Sequence, residues 1–322
     1  MKILITGGAG YIGSITAKIM LDAGYKITIV DNLERGNESA LDKRASFKKG
    51  NLLDKKFIES IFSERFDGVV HFAGYISAAE SVEKPAMYFE NNVVSLTNIL
   101  EGMDKSGSDN LVFSSSAGVY GNTKVIPIPE DSECIPINPY GETKLIAENL
   151  LKKQKIKNVS LRYFNAAGAL PDGSLGENHK PETHIIPLLI DKSVKGEEFI
   201  LFGEDYPTRD GSCVRDYIHV LDLARAHILV LEALRANKKL LPAYNVGTGR
   251  GYSNKEILKA VKKASGRKIK FKIGKRRPGD PAALVADPSK IKEYLDFKLN
   301  YSDLDTIVKT AYNWHIKQSD KL

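Results

Sequence analysis

Cysteine is scarce in this sequence, and the scarcity limits how the chain can be stabilised. Only two cysteines, Cys134 and Cys213, occur among 322 residues. Two thiols are too few for a disulfide framework, so a reducing compartment, the cytoplasm, is expected. The fold must then rest on a hydrophobic core, for which a chain of this length has ample material, in one large domain or two intertwined ones.

Long apolar runs are also missing. No stretch approaches the roughly 20 consecutive apolar residues that cross a bilayer, so no association with a membrane is predicted. The opening K-I-L-I-T leads directly into a glycine turn, which is typical of a buried strand and not of a targeting segment.

Basic residues outnumber acidic ones, but their pattern does not favour nucleic acid. The formal net charge is +7, and the basic run K-K-Q-K-I-K at 152–157 lacks interleaved aromatic residues. Such runs usually form solvated surfaces, so no nucleic-acid partner is predicted. A small anionic ligand that bears phosphate groups fits the charge equally well.

Repeats and low-complexity linkers are absent, and short apolar runs alternate with amphipathic stretches. Strands are predicted at 2–6, 26–31, 68–73, 110–115, 158–164 and 242–249, and helices at 11–23, 55–64, 86–105, 140–154, 184–195 and 219–236. Near-continuous apolar strands between helices predict an α/β fold, a Rossmann-type doubly wound parallel sheet with a smaller, intertwined C-terminal substrate domain. We expect the first domain at 1–167, with 214–248 returning to it, and the second at 168–322.

A glycine-rich turn marks a nucleotide site. The segment G-G-A-G-Y-I-G (7–13) follows the first strand and opens the first helix. Its three spaced glycines let the backbone approach a pyrophosphate, and the helix N-terminus offers N–H donors. Asp31 ends the second strand, where a carboxylate accepts hydrogen bonds from ribose hydroxyls and repels a 2′-phosphate. The pattern therefore predicts NAD rather than NADP.

The segment N-P-Y-G-E-T-K (138–144) places Tyr140 and Lys144 one helical turn apart, on the same face. A cation about 4 Å from a phenol is worth roughly 4 kcal/mol at an effective dielectric near 20, or about three pKa units. We therefore expect Lys144 to lower the pKa of Tyr140 enough for proton transfer near neutral pH. On spacing alone, an ordinary surface contact explains the pair as well.

Three motifs together resemble the extended short-chain dehydrogenase/reductase family. They are the glycine turn, S-S-S-A-G-V-Y-G (114–121) and P-Y-G-E-T-K (139–144). That family places a Ser/Thr, Tyr and Lys triad beside the nicotinamide ring of its cofactor. By this resemblance the catalytic residues are Ser116, Tyr140 and Lys144.

The second half narrows the resemblance to members that epimerise UDP-hexoses at carbon 4. Its motifs are L-R-Y-F-N-A-A-G (161–168) and F-G-E-D-Y-P-T-R-D-G-S-C-V-R-D-Y-I-H-V (202–220), supported by H-F-A-G (71–74) and S-V-E-K-P-A-M-Y-F-E-N-N-V (81–93). The resemblance implies a reversible reaction, UDP-galactose to UDP-glucose, through a transient 4-keto sugar and with tightly bound NAD.

The same resemblance assigns the binding residues; it implies no metal site. NAD would be held by Gly7, Gly10, Tyr11, Ile12, Gly13, Asp31, Asn32, Asn51, Leu52, Phe72, Ala73, Gly74, Asn91, Ser114, Tyr140, Lys144 and Tyr163. The UDP-sugar would be held by Ser116, Tyr140, Asn165, His184, Ile185, Ile200, Phe202, Arg215, Arg277, Asp280 and Leu284. An arginine suits a diphosphate because its guanidinium is a planar, permanently charged fork. Core packing remains an alternative for Phe202, and surface salt bridges remain one for Arg277 and Asp280.

Four positions depart from patterns common in that family. Asn51 stands where an acidic residue is frequent, and its amide can still contact adenine. Ile76 replaces a lysine, which removes one cation near the cofactor phosphates. His184 stands where an asparagine can contact the substrate, and its imidazole can still donate one hydrogen bond. Leu284, at the position that limits sugar size, leaves room for a 2-acetamido group.

Other activities share this fold. Sugar-nucleotide dehydratases and decarboxylases carry an acidic residue just after the serine/threonine strand, where this chain has Ala117 and Gly118. A 4-epimerase that acts mainly on UDP-N-acetyl sugars, UDP-pentoses or UDP-uronates remains an alternative. A non-catalytic NAD sensor would not need the three catalytic residues together. By resemblance, the helices at 86–105 and 140–154 are expected to form a homodimer.

Overall fold

The computed structural model describes residues 1–277 and 280–319. Its strands are β1 (Lys2–Thr6), β2 (Lys26–Asp31), β3 (Ser46–Lys49), β4 (Gly68–His71), β5 (Asn110–Ser116), β6 (Lys157–Tyr163), β7 (Asn165–Ala167), β8 (Glu198–Phe202), β9 (Val214–His219), β10 (Ala243–Val246), β11 (Gly251–Ser253), β12 (Lys270–Gly274) and β13 (Ala283–Leu284). Seven of them form one parallel sheet in the order β10-β6-β5-β4-β1-β2-β3. The prediction of a doubly wound parallel sheet is confirmed.

Helices cover both faces of this sheet. The helices of the chain are α1 (Tyr11–Asp22), α2 (Lys55–Ile61), α3 (Ala78–Glu83), α4 (Pro85–Phe89), α5 (Ser95–Ser106), α6 (Pro139–Leu151), α7 (Ile185–Lys195), α8 (Val220–Arg235), α9 (Asn254–Ser265), α10 (Ser289–Leu295) and α11 (Leu304–Ser319). Of these, α1, α8 and α10 lie on one face of the sheet and α2, α5 and α6 on the other. Among residues 1–277 and 280–319, no helix is both long and apolar enough to cross a membrane.

Side chains point alternately to the two faces of the sheet, and they form one hydrophobic core on each face. In β1, Ile3 and Ile5 face the side that α1 and α8 cover, whereas Leu4 faces the side that α2, α5 and α6 cover. Successive residues of a strand point to opposite faces, so a strand buried on both sides is apolar throughout. This is why the centre of K-I-L-I-T, residues 3–5, is a continuous apolar run.

The strand order reverses at β1, with β2 on one side and β4 on the other. In an open parallel sheet, ligands bind beyond the carboxyl ends of the strands at such a reversal. The glycine turn follows β1 there, Asp31 ends β2, and Ser116 ends β5.

The second half of the chain adds two small sheets. One has the order β11-β9-β13, with β7 paired to β9, and the other pairs β12 with β8. A separate apolar core lies among α7, α9 and α11. The segment expected to return to the first domain divides: β9 joins a small sheet, whereas α8 packs on the central sheet and β10 joins it. The domain boundaries stay a prediction.

Some elements differ from the sequence predictions. The helix predicted over 86–105 is α4 and α5 joined by a π-helical turn, Glu90–Val94. Strand β3 was missed because its S-F-K-K sequence is largely exposed and carries no apolar run. Strand β12 was missed for the same reason, since four of its five residues are exposed.

Candidate active site

The glycine turn between β1 and α1 is tightly folded. Gly7 has φ of 70°, which favours glycine, and a Cβ on Gly13 would lie 2.3 Å from the Gly7 carbonyl oxygen. Gly10 is the N-cap of α1 and has no side chain to cap it. The first-turn N–H groups have no acceptor within the helix, so they are free to bind an anion.

Asp31 lies beside this turn with its carboxylate fixed by backbone. Oδ2 accepts the Ala9 N–H at 3.0 Å, and Oδ1 accepts the Leu33 N–H at 2.9 Å. A carboxylate oxygen can accept more than one hydrogen bond, so each keeps capacity for a ribose hydroxyl. The turn and this carboxylate together fit a dinucleotide such as NAD.

Tyr140 enters the site on the first turn of α6. Asn138 caps this helix, its Oδ1 accepting the Gly141 N–H at 2.9 Å, and Pro139 occupies a first-turn position that needs no N–H. Ser116 comes from the end of β5, where its Oγ accepts the Gly118 N–H at 3.0 Å. Helix cap and strand end thus bring the phenol and the hydroxyl to one place.

Lys144 lies one turn further along α6 and is buried. Its Nζ donates to the Ser114 carbonyl at 2.8 Å and lies 5.9 Å from the centre of the Tyr140 ring. Burial lowers the pKa of Lys144 to about 8, with the charge of Glu148 acting in the opposite direction.

The expectation that Lys144 lowers the pKa of Tyr140 is not met in this structure. Removal from water raises the pKa of Tyr140 above its ordinary value, and a hydrogen bond with Ser116 offsets only part of that rise. The ammonium donates to the Ser114 carbonyl and lies 5.9 Å from the centre of the Tyr140 ring, so its charge is partly engaged elsewhere. A cofactor cation is one group that would favour the ionised phenol.

A buried polar network fixes α6 against the sheet. Glu148 pairs with Arg162 of β6 at 2.6 Å, and Ser115 donates to the same carboxylate at 2.6 Å. Arg162 also donates to the Tyr120 hydroxyl, which donates in turn to Asn245 of β10. Each charge is paired and hydrogen-bonded, which is the condition for burying it.

These elements enclose a cavity of about 590 Å³. All residues expected to hold the cofactor line it, as do Ser116, Asn165 and His184 of those expected to hold the substrate. It follows the carboxyl ends of β1, β2, β4, β5 and β6. The residues that the sequence analysis assigned in distant segments therefore meet at one site. The role of each residue stays a prediction.

The remaining substrate residues lie outside this cavity, in or beside the small sheets. Arg215 lies in β9 with Leu284 of β13 as its register partner, and it forms an ion pair with Asp280. Phe202 ends β8, and the guanidinium of Arg277 lies 4.3 Å from its ring centre. Ile200 lies in β8, and Ile185 begins α7 just after His184.

Asn165 connects the two groups. It lines the cavity, and its Nδ2 donates to the Asp216 carbonyl, next to Arg215, at 3.0 Å. Strand β7, which contains Asn165, pairs with β9, which contains Arg215. A ligand longer than the cavity would follow this path toward the two arginines.

The cavity wall also contains an acidic and histidine cluster that the sequence analysis did not predict, apart from His184. Glu177, His179, Glu182 and His184 lie close together. Burial alone would lower the pKa of His184, but the charge and hydrogen bond of Glu177 raise it to about 9. The alternating spacing of E-N-H-K-P-E-T-H (177–184) is the signal that would have found the cluster.

Two further links at the cavity rim were missed. Tyr75 donates to Glu34 at 2.7 Å, and Arg35 donates to Glu80 at 2.9 Å. They join the loop after β2 to the segment after β4. No local sequence pattern shows such pairs, because the partners are more than 40 residues apart.

Comparison with known proteins agrees with this geometry. A model of the NAD dependent epimerase/dehydratase family matches residues 3–247. The UDP-glucose 4-epimerase of Lacticaseibacillus casei is 46% identical over 321 residues, which cover 98% of this chain and 97% of that protein. The chain therefore belongs to the NAD dependent epimerase/dehydratase family. The membership confirms the predicted family resemblance and NAD as the cofactor.

Solved structures show the same fold. The UDP-glucose 4-epimerase of Brucella ovis in complex with NAD has a TM-score of 0.93 and 44% identity, and the match covers 97% of each chain. The enzyme of the same name from Bifidobacterium longum, in complex with NAD+ and UDP, has a TM-score of 0.94 and 37% identity over 100% of each chain. These likenesses confirm the Rossmann-type α/β class.

Proposed function

We propose that this protein is an isomerase that interconverts UDP-galactose and UDP-glucose by inverting carbon 4, with NAD retained throughout. The observation that supports it best is the convergence of Ser116, Tyr140 and Lys144 on the cavity that also contains the glycine turn. A dinucleotide site alone would suit many reactions. A phenol and a hydroxyl beside it add a proton-transfer site where a sugar hydroxyl can be oxidised and reduced.

Bound NAD supplies the acceptor and donor of the hydride, and the protein supplies position and proton transfer. Tyr140 takes the proton of the sugar 4-hydroxyl and returns it when the configuration has changed. Ser116 hydrogen-bonds the same sugar oxygen. Lys144 keeps a positive charge near the phenol from its anchor on the Ser114 carbonyl.

The UDP portion extends toward the small sheets. Arg215 and Arg277 bind the diphosphate and adjoining groups after giving up their present partners, Asp280 and the Phe202 ring. Phe202 packs on the uracil region. Asn165 and His184 contact the sugar-diphosphate at the junction with the cavity, where both side chains lie.

The test is conversion of UDP-galactose to UDP-glucose by purified protein with no NAD added. Conversion would support both epimerisation and a retained cofactor. Failure even with NAD supplied would contradict the proposal and direct attention to other nucleotide sugars. UDP-N-acetylgalactosamine in the same assay tests whether Leu284 admits a 2-acetamido group.

The finer expectations of a cytoplasmic homodimer belong to this proposal. Phe89 of α4, Val94 of the π-helical turn and Ile146 of α6 are large apolar residues that are exposed on the helices expected to pair. A second copy of the chain would cover them. Light scattering of the purified protein should give twice the mass of one chain, and a monomer would contradict this part.

A further inference from the structure

The loop before α7 concentrates four metal-binding side chains in eight residues. Glu177, His179, Glu182 and His184 each offer one donor atom, and the four atoms lie within 4.8 Å of one another. All four residues belong to the segment E-N-H-K-P-E-T-H (177–184), so a single loop would supply a complete set of protein ligands.

The separations suit one shared ion. His179 Nδ1 lies 3.1 Å from Glu177 Oε1 and 4.0 Å from Glu182 Oε2, and His184 Nδ1 lies 3.7 Å from Glu182 Oε1. His184 also contacts Glu177 directly. Neighbouring donors around a tetrahedral zinc ion, each about 2.0–2.2 Å from it, are about 3.3 Å apart. The most distant pair lies within 4.8 Å, so it would have to close by up to about 1.5 Å to fit such a tetrahedron.

One of the four metal-binding atoms makes no hydrogen bond within the part of the chain that the structure describes. The Nδ1 of His179 is buried, lies 3.1 Å from Glu177 Oε1 as an ion pair, and has no hydrogen bond of good geometry within residues 1–277 and 280–319. An imidazole nitrogen without a hydrogen bond, close to a carboxylate oxygen, is an arrangement that a cation would complete. A buried polar group without a partner otherwise costs stability.

The surrounding backbone already orients the ligands. The N–H groups of Thr183 and His184 both donate to Glu182 Oε1, at 2.7 and 2.8 Å. The Asn37 side chain donates to the Asn178 carbonyl at 3.1 Å, which ties the loop to the segment after β2. Such outer contacts fix metal-binding side chains in position.

The donor chemistry selects the ion. Calcium and magnesium prefer oxygen ligands alone, whereas two imidazoles with two carboxylates suit zinc and its neighbours. We propose that Glu177, His179, Glu182 and His184 form a zinc site that fixes this wall of the cavity.

This inference departs from the sequence analysis, which predicts no metal, and it does not rest on the proposed function. His184 would bind zinc through Nδ1, the atom beside Glu177 and Glu182, and would contact the sugar-diphosphate through Nε2. The ion would hold the loop by four bonds in place of the present ion pairs. Because Glu177, His179 and His184 line the cavity, the shape of one wall would then depend on the metal. Binding can be measured without turnover, so failure of one proposal would not be mistaken for failure of the other.

Untagged full-length protein with its bound NAD is treated with a chelator, and zinc is then returned by equilibrium dialysis. We expect one zinc ion per chain by elemental analysis, and a rise in the thermal unfolding temperature. Glu182→Gln and His179→Gln should each weaken zinc binding by more than about ten-fold. Glu133→Gln, a change at an exposed glutamate elsewhere, serves as the control and should bind zinc like the parent.

Cobalt(II) gives a readout that does not depend on the variants folding. In the parent protein, the visible absorption bands of bound cobalt(II) should be as intense as those of a tetrahedral site with nitrogen and oxygen ligands. Adding zinc should displace the cobalt and abolish these bands. Substoichiometric zinc with no cobalt spectrum would overturn the proposal and leave an ion-pair cluster. Binding that survives both ligand substitutions would also overturn it, because the metal would then lie elsewhere.

Discussion

The cofactor side of the candidate site is formed mainly by backbone, whereas the substrate side depends on charged side chains. On the cofactor side, the turn from Gly7 to Gly13 and the N-terminus of α1 face an open cavity. On the substrate side, Arg215 is paired with Asp280, and Arg277 lies against Phe202. One side is ready to receive its ligand, and the other must first exchange partners.

This difference has a physical reason. Backbone N–H groups at a helix end are fixed by the helix, so binding an anion there requires little rearrangement. A free guanidinium loses its water when it is enclosed and is stabilised by a carboxylate until a phosphate replaces it. A cofactor that stays bound fits the first arrangement, and a substrate that enters and leaves fits the second.

The largest loss of activity is expected for a substitution where the cofactor side and the substrate side of the site meet. Tyr140→Phe removes the proton-transfer group and should lower kcat by about a thousand-fold or more, within the range for general acid–base catalysis. NAD content should not change, because the glycine turn is untouched. Steady-state conversion and the NAD released on denaturation measure the two quantities.

A second tyrosine of the cavity provides the control for that change. Tyr163→Phe also removes a hydroxyl, one that hydrogen-bonds Ser114, and it should leave most of the activity. Equal losses in the two variants would mean that Tyr140 acts through cavity structure and not through proton transfer.

Two glycine substitutions test separately how the glycine turn contributes to the stability of the fold and to NAD binding. In Gly13→Ala the new Cβ would lie 2.3 Å from the Gly7 oxygen, so the free energy of unfolding should fall by about 1–3 kcal/mol and NAD should be lost. In Gly10→Ala the nearest atom is 3.3 Å away, and the methyl group extends from the cavity lining. That variant should lose about 1 kcal/mol of the free energy of unfolding, because alanine is a poorer N-cap than glycine, and should retain less NAD.

Urea unfolding and NAD content measured on both variants test this pair. Full NAD retention in Gly10→Ala would show that the ligand does not approach the backbone there. Equal losses in the free energy of unfolding of the two variants would show that a substitution cannot impair NAD binding by this turn without also destabilising the fold.

On the substrate side, Arg215→Ala should raise KM for the UDP-sugar by about ten- to a hundred-fold, the value of one or more hydrogen bonds to a charged group. NAD content should stay that of the parent, because Arg215 does not line the cofactor cavity. Arg209→Ala is the matched control: this arginine is exposed, in the segment just before β9, and paired with Glu256. An unchanged KM in Arg215→Ala would contradict the assigned diphosphate path.

The same contrast explains what the sequence could predict. The glycine turn, Asp31 and the end of β5 were placed correctly because each depends on a local pattern and on parallel strands ending at one edge. The ion pair of Arg215 with Asp280 spans 65 residues and leaves no local signal. Side-chain pairing of this kind depends on how the small sheets assemble, and the hydrophobic periodicity of the sequence does not predict that assembly.

The pKa of Tyr140 shows a second limit. The spacing of Tyr140 and Lys144 gave their common helix face, but not the burial of either group or the Ser114 carbonyl that binds the ammonium. Removal from water shifts a phenol and an ammonium in opposite directions, and both shifts occur here. Helical spacing therefore located the pair correctly and gave the wrong sign for the pKa of Tyr140 in this structure.

The smallest effect is expected at the cavity rim, where the cofactor side does use side chains. Arg35 and Glu80 join the loop after β2 to helix α3 by an exposed ion pair, and both line the cavity. Arg35→Ala should speed NAD dissociation by up to about five-fold, because an exposed pair contributes about 1 kcal/mol or less. Arg44→Ala, which breaks an exposed pair with Asp42, should not change the rate. Stopped-flow exchange against a fluorescent NAD analogue gives both rates, and equal rates in the two variants would mean that retention depends on the backbone cradle alone.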